Sequence, residues 1–416
     1  MKSLALLGAL LAGAGCIAWP LAAAAQDAAP LTLEEALERA GVTTGSPVES
    51  QNPRAIGPRA ETEAAAALVT QAGLRPNPEV SLEVENIGGT GVFSGLRSTE
   101  TTLSAGLPIE LVGKRGARLD AARADLAVFR LREQVALADI AFSVRRRYVG
   151  AVASQARVDL AQNVLDRSRE LARIATELVD AGREPPLRAL TAQAQMAEAE
   201  AELKAAQANA LATRFALGAL WSQEPAAVPS DGFPALQPPY ELLADYDGLE
   251  PRLASAEREA ADRAVRRERS LGVPDPTVSA GVRRFEESND QAFVVGVSIP
   301  LPLRNRNQGN IAAAQAQARA AAARETVATM DYRQAVAEAR ADYLGAEAKA
   351  DTLERESLPQ AEEALRLADI GYREGKFPLI EVLSIAESRD SIRRALIDAR
   401  EEQGKAAALL IRLAAQ

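Results

Sequence analysis

The chain has 416 residues, a formal charge of −9 and 25% charged side chains; only 4% are aromatic, and alanine dominates its 47% hydrophobic fraction. That profile excludes a thick aromatic core and favours long, closely packed helices. With no His and a single Cys, Cys16, zinc, haem and thiolate centres lack their ligands and no Ser-His or Cys-His nucleophile can be built, so neither cofactor, metal centre nor enzyme is expected. No Lys/Arg stripe stands apart from the interspersed acids, which argues against a nucleic-acid partner.

Lys2, the apolar run Leu4 to Leu11 and the small stretch Ala22 to Ala25 read as a signal peptide over 1–25, cut before Gln26. Cys16 leaves a lipoprotein leader as the alternative. Thr32-Leu33-Glu34-Glu35 has capping-box spacing for a short first helix. From Glu79 the chain alternates: Val80, Leu82 and Val84 oppose Glu79, Ser81, Glu83 and Glu85. A partner run sets Leu103, Ala105, Leu107 and Ile109 against Glu100, Thr102, Ser104 and Gly106, joined through the glycines between Gly88 and Gly95. Between Gly116 and Asp180 there is no Pro, and apolar residues recur at helical spacings, so one helix of roughly 100 Å is expected. It breaks at Gly182-Arg183, and a returning helix runs from Pro185 to Leu220.

A Pro-rich linker, 222–250, separates this repeat, 26–221, from a second, 251–416, that reproduces its punctuation about 195 residues later. Pro76-Asn77-Pro78 recurs as Pro274-Asp275-Pro276, Leu107-Pro108 as Ile299-Pro300, and Ala181-Gly182-Arg183 with Pro185 as Glu374-Gly375-Lys376 with Pro378. The second strand pair sets Val278, Ala280 and Val282, then Phe293, Val295, Val297 and Ile299, on apolar faces. A second long helix follows from Asn310 to about Tyr372, kinked or broken at Pro359. After cleavage before Gln26 no apolar run reaches the roughly 20 residues of a membrane helix, so membrane insertion would use strands. Four strands cannot close a barrel, and several protomers would have to share one.

The residues resemble the TolC family of outer-membrane efflux channels, in its CzcC-like, heavy-metal branch. The likeness is carried by Leu31 to Leu37, by Arg75-Pro76-Asn77-Pro78-Glu79 through Glu83-Val84-Glu85-Asn86, by Pro108-Ile109-Glu110-Leu111 through Gly113-Lys114-Arg115, and by Gly371-Tyr372-Arg373-Glu374-Gly375 through Glu381-Val382-Leu383. It implies a mainly α, internally duplicated protomer whose long antiparallel helices form an α-barrel and whose four strands enter a trimeric twelve-stranded β-barrel. It also implies an outer-membrane location reaching into the periplasm, a homotrimer set in outer-membrane lipid, a periplasmic adaptor, an inner-membrane pump of the resistance-nodulation-division type, and passive conduction of cargo, heavy-metal cations above all. Gly182, Arg183, Tyr372, Gly375, Lys376 and Glu381 become tip and gate candidates, while Glu79, Glu83, Glu85 and Glu100 become lumen-facing ones. Phe377 and Arg188 depart from the gate residues of the best-known member. A soluble periplasmic coiled-coil scaffold or adaptor is the alternative, distinguished by detergent dependence.

Overall fold

The computed structural model describes residues 30–42, 52–221, 228–229, 232–241 and 247–415. The expected signal peptide, Cys16 and much of the linker lie outside them. Helix α1 (Leu33–Arg39) opens on Thr32, whose hydroxyl accepts the Glu35 N–H at 3.2 Å. Only half of the expected capping box forms, because Glu35 turns forward to Arg39 at 2.5 Å instead of reaching back. Helix α2 (Pro53–Ala72) is capped by Asn52, which accepts from Arg54 N–H and donates to the carbonyls of Ala40 and Leu220. One buried amide thus joins α1, α2 and the end of a distant helix.

Strands β1 (Glu79–Glu85) and β2 (Glu100–Pro108) come next, followed by α3 (Lys114–Asp180), a single helix of 67 residues. It returns as α4 (Pro186–Gly218). The second repeat gives α5 (Leu249–Leu271), β3 (Thr277–Phe285), β4 (Gln291–Ser298), α6 (Gln308–Thr352), α7 (Leu358–Arg373) and α8 (Leu379–Leu413). Where a kink or break was expected near Pro359, residues Leu353–Ser357 form a π-helical turn between α6 and α7. Proline cannot donate to the carbonyl four residues back, and its ring crowds that carbonyl; a widened turn relieves both while the helix continues. None of the described helices is long and apolar enough to cross a membrane.

The long helices form a layer in which α3 packs against α2, α4, α5 and α8, and α6 against α5 and α8. Alanine lines much of the seam, so the buried core is thin along most of its length. It thickens mainly at two places, with a smaller cluster of Leu165, Ala199 and Leu203 between α3 and α4. Of the two main clusters, one gathers Leu31, Val144, Tyr148, Val152, Leu217, Leu220 and Trp221; the other gathers Tyr332, Val336, Tyr343, Leu410 and Leu413. The described part of the linker bridges them: Val228 and Phe233 pack on the first cluster, Leu236 and Tyr240 on the second. That described part has no regular secondary structure and is anchored to both clusters. Ion pairs stitch the repeats along α3 and α8: Arg167 to Asp390, Arg157 to Asp398 at 2.6 Å and to Glu401 at 2.5 Å, and Arg412 to Asp139 at 2.6 Å.

Tyr332 is buried, donates to the Leu413 carbonyl at 2.6 Å, and its ring occupies space that a Cβ on Gly248 would need. Burial, with Glu250 and Asp247 nearby, pushes its phenol up to about 12. Burial, then the Glu347 carboxylate that accepts its hydroxyl, pushes Tyr343 up to about 12 as well. In the unfolded chain both ionise near the ordinary value of about 10. Their contribution is complete below pH 10 and is lost as pH rises from 10 towards 12, at up to about 1.4 kcal/mol for each unit of separation. Thermal unfolding in detergent between pH 9 and 12 should show this alkaline loss, and Tyr332→Phe should flatten part of it.

Candidate functional site

The four strands form one antiparallel sheet in the order β1-β2-β3-β4. The expected pairs are therefore joined, by a β2–β3 pairing that runs from Glu100 opposite Phe285 to Pro108 opposite Thr277. Register carries the alternation across all strands. Val80, Ala105, Ala280 and Val295 form one rank, Leu82, Leu103, Val282 and Phe293 the next, and Leu107, Val278 and Val297 a third. This face is apolar and uncovered: Phe293 is 90% exposed, Val295 77% and Val80 74%. In water so much apolar surface would drive aggregation; a monomeric soluble domain rarely shows a contiguous patch of this kind.

The opposite face carries Glu79, Glu83, Glu85 and Glu100, as their alternation requires. Arg283 shares that face and pairs with Glu85 at 3.0 Å and with Glu100 at 2.9 Å, while its Nε donates to Thr102 Oγ1 at 2.9 Å. Two of the four candidate carboxylates thus share one guanidinium, leaving Glu79 and Glu83 as the acids without an ion pair among the described residues. Arg284, next in sequence, falls on the apolar face in the rank of Val84, Thr101 and Gln291, so the two arginines do not act together.

Where strands meet helices, a buried lysine crosses the repeats. Lys114 Nζ lies 2.7 Å from Asp275 Oδ2, and Asp275 Oδ1 accepts the Leu111 N–H at 3.0 Å. Beside it Arg118 binds Glu110 at 2.5 Å and donates to the carbonyls of Ala72 and Leu74, and Arg115 donates to that of Gly73. These guanidinium groups satisfy the carbonyls left open at the end of α2 and complement its dipole.

At the far end, α3–α4 and α7–α8 turn by the same device. Gly182 (φ +70°) sits between Arg183 N–H bonded to the Leu178 carbonyl and its own N–H bonded to that of Val179. Gly375 (φ +72°) is placed identically, with Lys376 N–H on the Gly371 carbonyl and its own on Tyr372. Both are Schellman closures, which require the left-handed glycine. Arg183 and Tyr372 line one cleft of about 340 Å³ between the helix pairs, together with Arg188, Pro378, Leu379 and Leu383. Lys376 instead pairs with Glu374 at 2.5 Å, and Glu381 is exposed and outside that cleft. The tip candidates thus divide between the cleft and the exposed surface beside it. Phe377 lays its ring over Gly371, where a Cβ would stand 2.3 Å from Cδ2.

The sequence reading missed the Lys114–Asp275 pair, although both residues lie in motifs it singled out. It also missed Arg283 as a counter-ion, because register between repeats is not written in either one.

The family model described as "Outer membrane efflux protein" matches residues 50–223 and 251–416. The cobalt-zinc-cadmium resistance protein CzcC of Cupriavidus metallidurans is 32% identical over 366 residues, 86% of this chain and 84% of that protein. The nickel-cobalt-cadmium resistance protein NccC of Alcaligenes xylosoxydans xylosoxydans is 32% identical over 248 residues, 58% and 56% of the two chains. Among solved structures, the outer membrane protein VceC of Vibrio cholerae superposes with a TM-score of 0.75 at 22% identity, covering 92% of this chain and 96% of that one.

Removing Lys114 from its pair with Asp275 should be costly, because the carboxylate is left without its counter-ion and only partly open to water. Lys114→Met is expected to lose about 2–4 kcal/mol in thermal or denaturant unfolding. Lys114→Met with Asp275→Leu should recover much of that loss.

Proposed function

The chain belongs to the family of outer membrane efflux proteins, and on that footing we propose that it is the passive exit duct of a metal-exporting pump. It resides in the outer membrane and extends into the periplasm, as its family does. The observation that carries the proposal is the sheet: one face uncovered and apolar over three ranks, both edges unpaired, mounted on helices about 100 Å long. Only lipid suits that face, and only further copies can complete those edges. Three protomers of four strands give a twelve-stranded barrel, and the helices continue it as a tunnel.

Family members are channels and not enzymes, so energy and direction come from elsewhere. A periplasmic adaptor and an inner-membrane pump of the resistance-nodulation-division type fill those roles in this reading. Cargo is assigned as heavy-metal cations, supported by relatives whose names specify cobalt, zinc, cadmium and nickel resistance. Among the described residues no group of acids could hold a metal ion, and no His occurs in the chain. A duct with this composition passes cations without choosing among them, and selection falls to the pump. Repeats 26–221 and 251–416, joined by 222–250, form the two halves of the wall in each protomer.

The polar strand face lines the lumen, where Glu79 and Glu83 supply the uncompensated acids. The Schellman turns form the periplasmic end: Gly182 and Gly375 set the turn shape for adaptor docking, Tyr372 with Arg183 holds the two helix pairs together across the cleft, and Glu381 faces the narrow passage. The soluble-scaffold alternative leaves the exposed apolar face without a purpose.

Leu82→Arg or Val295→Arg should cost roughly 2–4 kcal/mol of insertion near the bilayer midplane, whereas Glu83→Arg should insert normally and lower cation selectivity in planar bilayers. Equal assembly defects on both faces, or a detergent-free monomer that conducts no ions, would contradict the channel. At the tip, Gly375→Val should weaken crosslinking to the adaptor while trimers still form, and Glu381→Gln should mainly change block of single-channel currents by divalent ions.

A further inference from the structure

The apolar alternation does not stop where the sheet does. On β2 it passes from Leu103, Ala105 and Leu107 to Ile109 and Leu111, beyond the last ladder residue Pro108. On β4 it passes from Phe293, Val295 and Val297 to Ile299, Leu301 and Leu303, of which the last two are 74% and 79% exposed. The intervening residues at the end of β4 are Pro300 and Pro302, which have no N–H, and the Leu303 N–H is bonded to the Leu301 carbonyl at 2.9 Å. This extension therefore places few unpaired donors where water is scarce.

Length gives the extension a place. The eight residues of β4 span about 27 Å, or about 20 Å along the normal at a tilt near 40°, against an apolar band about 25 Å tall. The ladder alone falls short, and the residues as far as Leu303 reach the boundary. Antiparallel pairing brings four segments out at this end: those before β1 and β3, and those after β2 and β4. Each contributes an exposed apolar side chain, namely Leu74, Leu271, Val112 and Leu303.

Charge at this end is mainly basic once its ion pairs are counted. Asp275 is held by Lys114 and Glu110 by Arg118. Arg115 and Arg306 donate to the carbonyls of Gly73 and Pro302. Arg75 and Arg304 are exposed, and among the described residues neither guanidinium has a partner. Glu79 is the nearby strand acid without an ion pair, and it lies on the opposite, polar face.

We propose that this collar is a binding surface for anionic phospholipid of the periplasmic leaflet: Leu301, Leu303 and their counterparts seat in the acyl boundary while Arg75 and Arg304 bind headgroup phosphate. The inference rests on the outer-membrane reading and names the lipid contact of its inner edge. Continuity with the apolar band and the free guanidinium groups together select lipid as the occupant.

Because Cys16 is the sole cysteine, single-cysteine probes test this cleanly, with Cys16 removed with the leader or changed to Ser. Leu303→Cys, Val295→Cys and Asn289→Cys would each carry an environment-sensitive fluorophore in vesicles of phosphatidylethanolamine and phosphatidylglycerol. The expected result is quenching at 303 by a nitroxide near the headgroup, at 295 by one deep in the acyl chain, and at 289 by aqueous iodide. Native mass spectrometry should show the Arg75→Gln, Arg304→Gln double variant retaining phosphatidylglycerol about tenfold more weakly, with phosphatidylcholine unaffected. A 303 probe as open to iodide as 289, one shielded from both lipid and iodide, or undiminished phosphatidylglycerol retention would each overturn the collar. Iodide access at 295 would overturn the membrane reading itself.

Discussion

A backbone N–H or C=O that faces hydrocarbon without a partner costs several kcal/mol, and that cost governs this chain. The sheet satisfies β2 and β3 on both sides and leaves β1 and β4 with an open edge each. Each edge strand leaves roughly three or four donors and as many acceptors turned outward, far more than the marginal stability of a protein could carry. Closure by other copies is thus a condition of the protomer's fold in lipid. The same cost explains the proline pairs at the strand ends, which forbid a helix from continuing and remove donors at the boundary.

Below the sheet the constraint changes, because long helices satisfy their own backbones and need only a seam to pack. Alanine makes that seam narrow, so stability is concentrated in two clusters, bridged by the linker through Phe233, Leu236 and Tyr240. Between the clusters and the tip the repeats rely on charge pairs between α3 and α8. Asp390 is the most enclosed of these acids, held by Arg167 and by Arg389 at 2.8 Å. Exposed pairs of this kind contribute little, but buried ones fix alignment, since a displaced partner leaves a charge unsolvated. A layer built this way is firmest near mid-length, where α3 carries Val144, Tyr148 and Val152, and more thinly held towards the turns at Gly182 and Gly375.

Duplication explains what is symmetric in the protomer, and divergence explains what is not. Both turns use the same glycine geometry and the same pattern of backbone bonds. The residues after the glycines differ: Arg183 and Glu184 line the cleft against Tyr372, whereas Lys376 pairs with Glu374 and Phe377 covers Gly371. The first turn therefore lends charged side chains to the cleft, and the second lends it Pro378, Leu379 and Leu383.

Periodicity in the sequence determined which residues share a strand face, where helices stop, and that two repeats exist, because those properties depend on neighbours a few residues apart. Val80 to Val84 and Phe293 to Ile299 needed nothing else. Glycine and proline likewise marked the turns at Gly182 and Gly375, since few other residues tolerate those backbones. Register between β2 and β3 depended on packing of the whole helix layer, and only the tertiary structure decided it. That register brought Arg283 between Glu85 and Glu100 and so offset one of the four negative charges that alternation alone had assigned to one face. The tertiary structure also placed Lys114 on Asp275, and it set Arg183 in one cleft with Tyr372 while leaving Glu381 apart. Each of these pairings joins residues far apart in sequence, and no local pattern records which distant partner a side chain will meet.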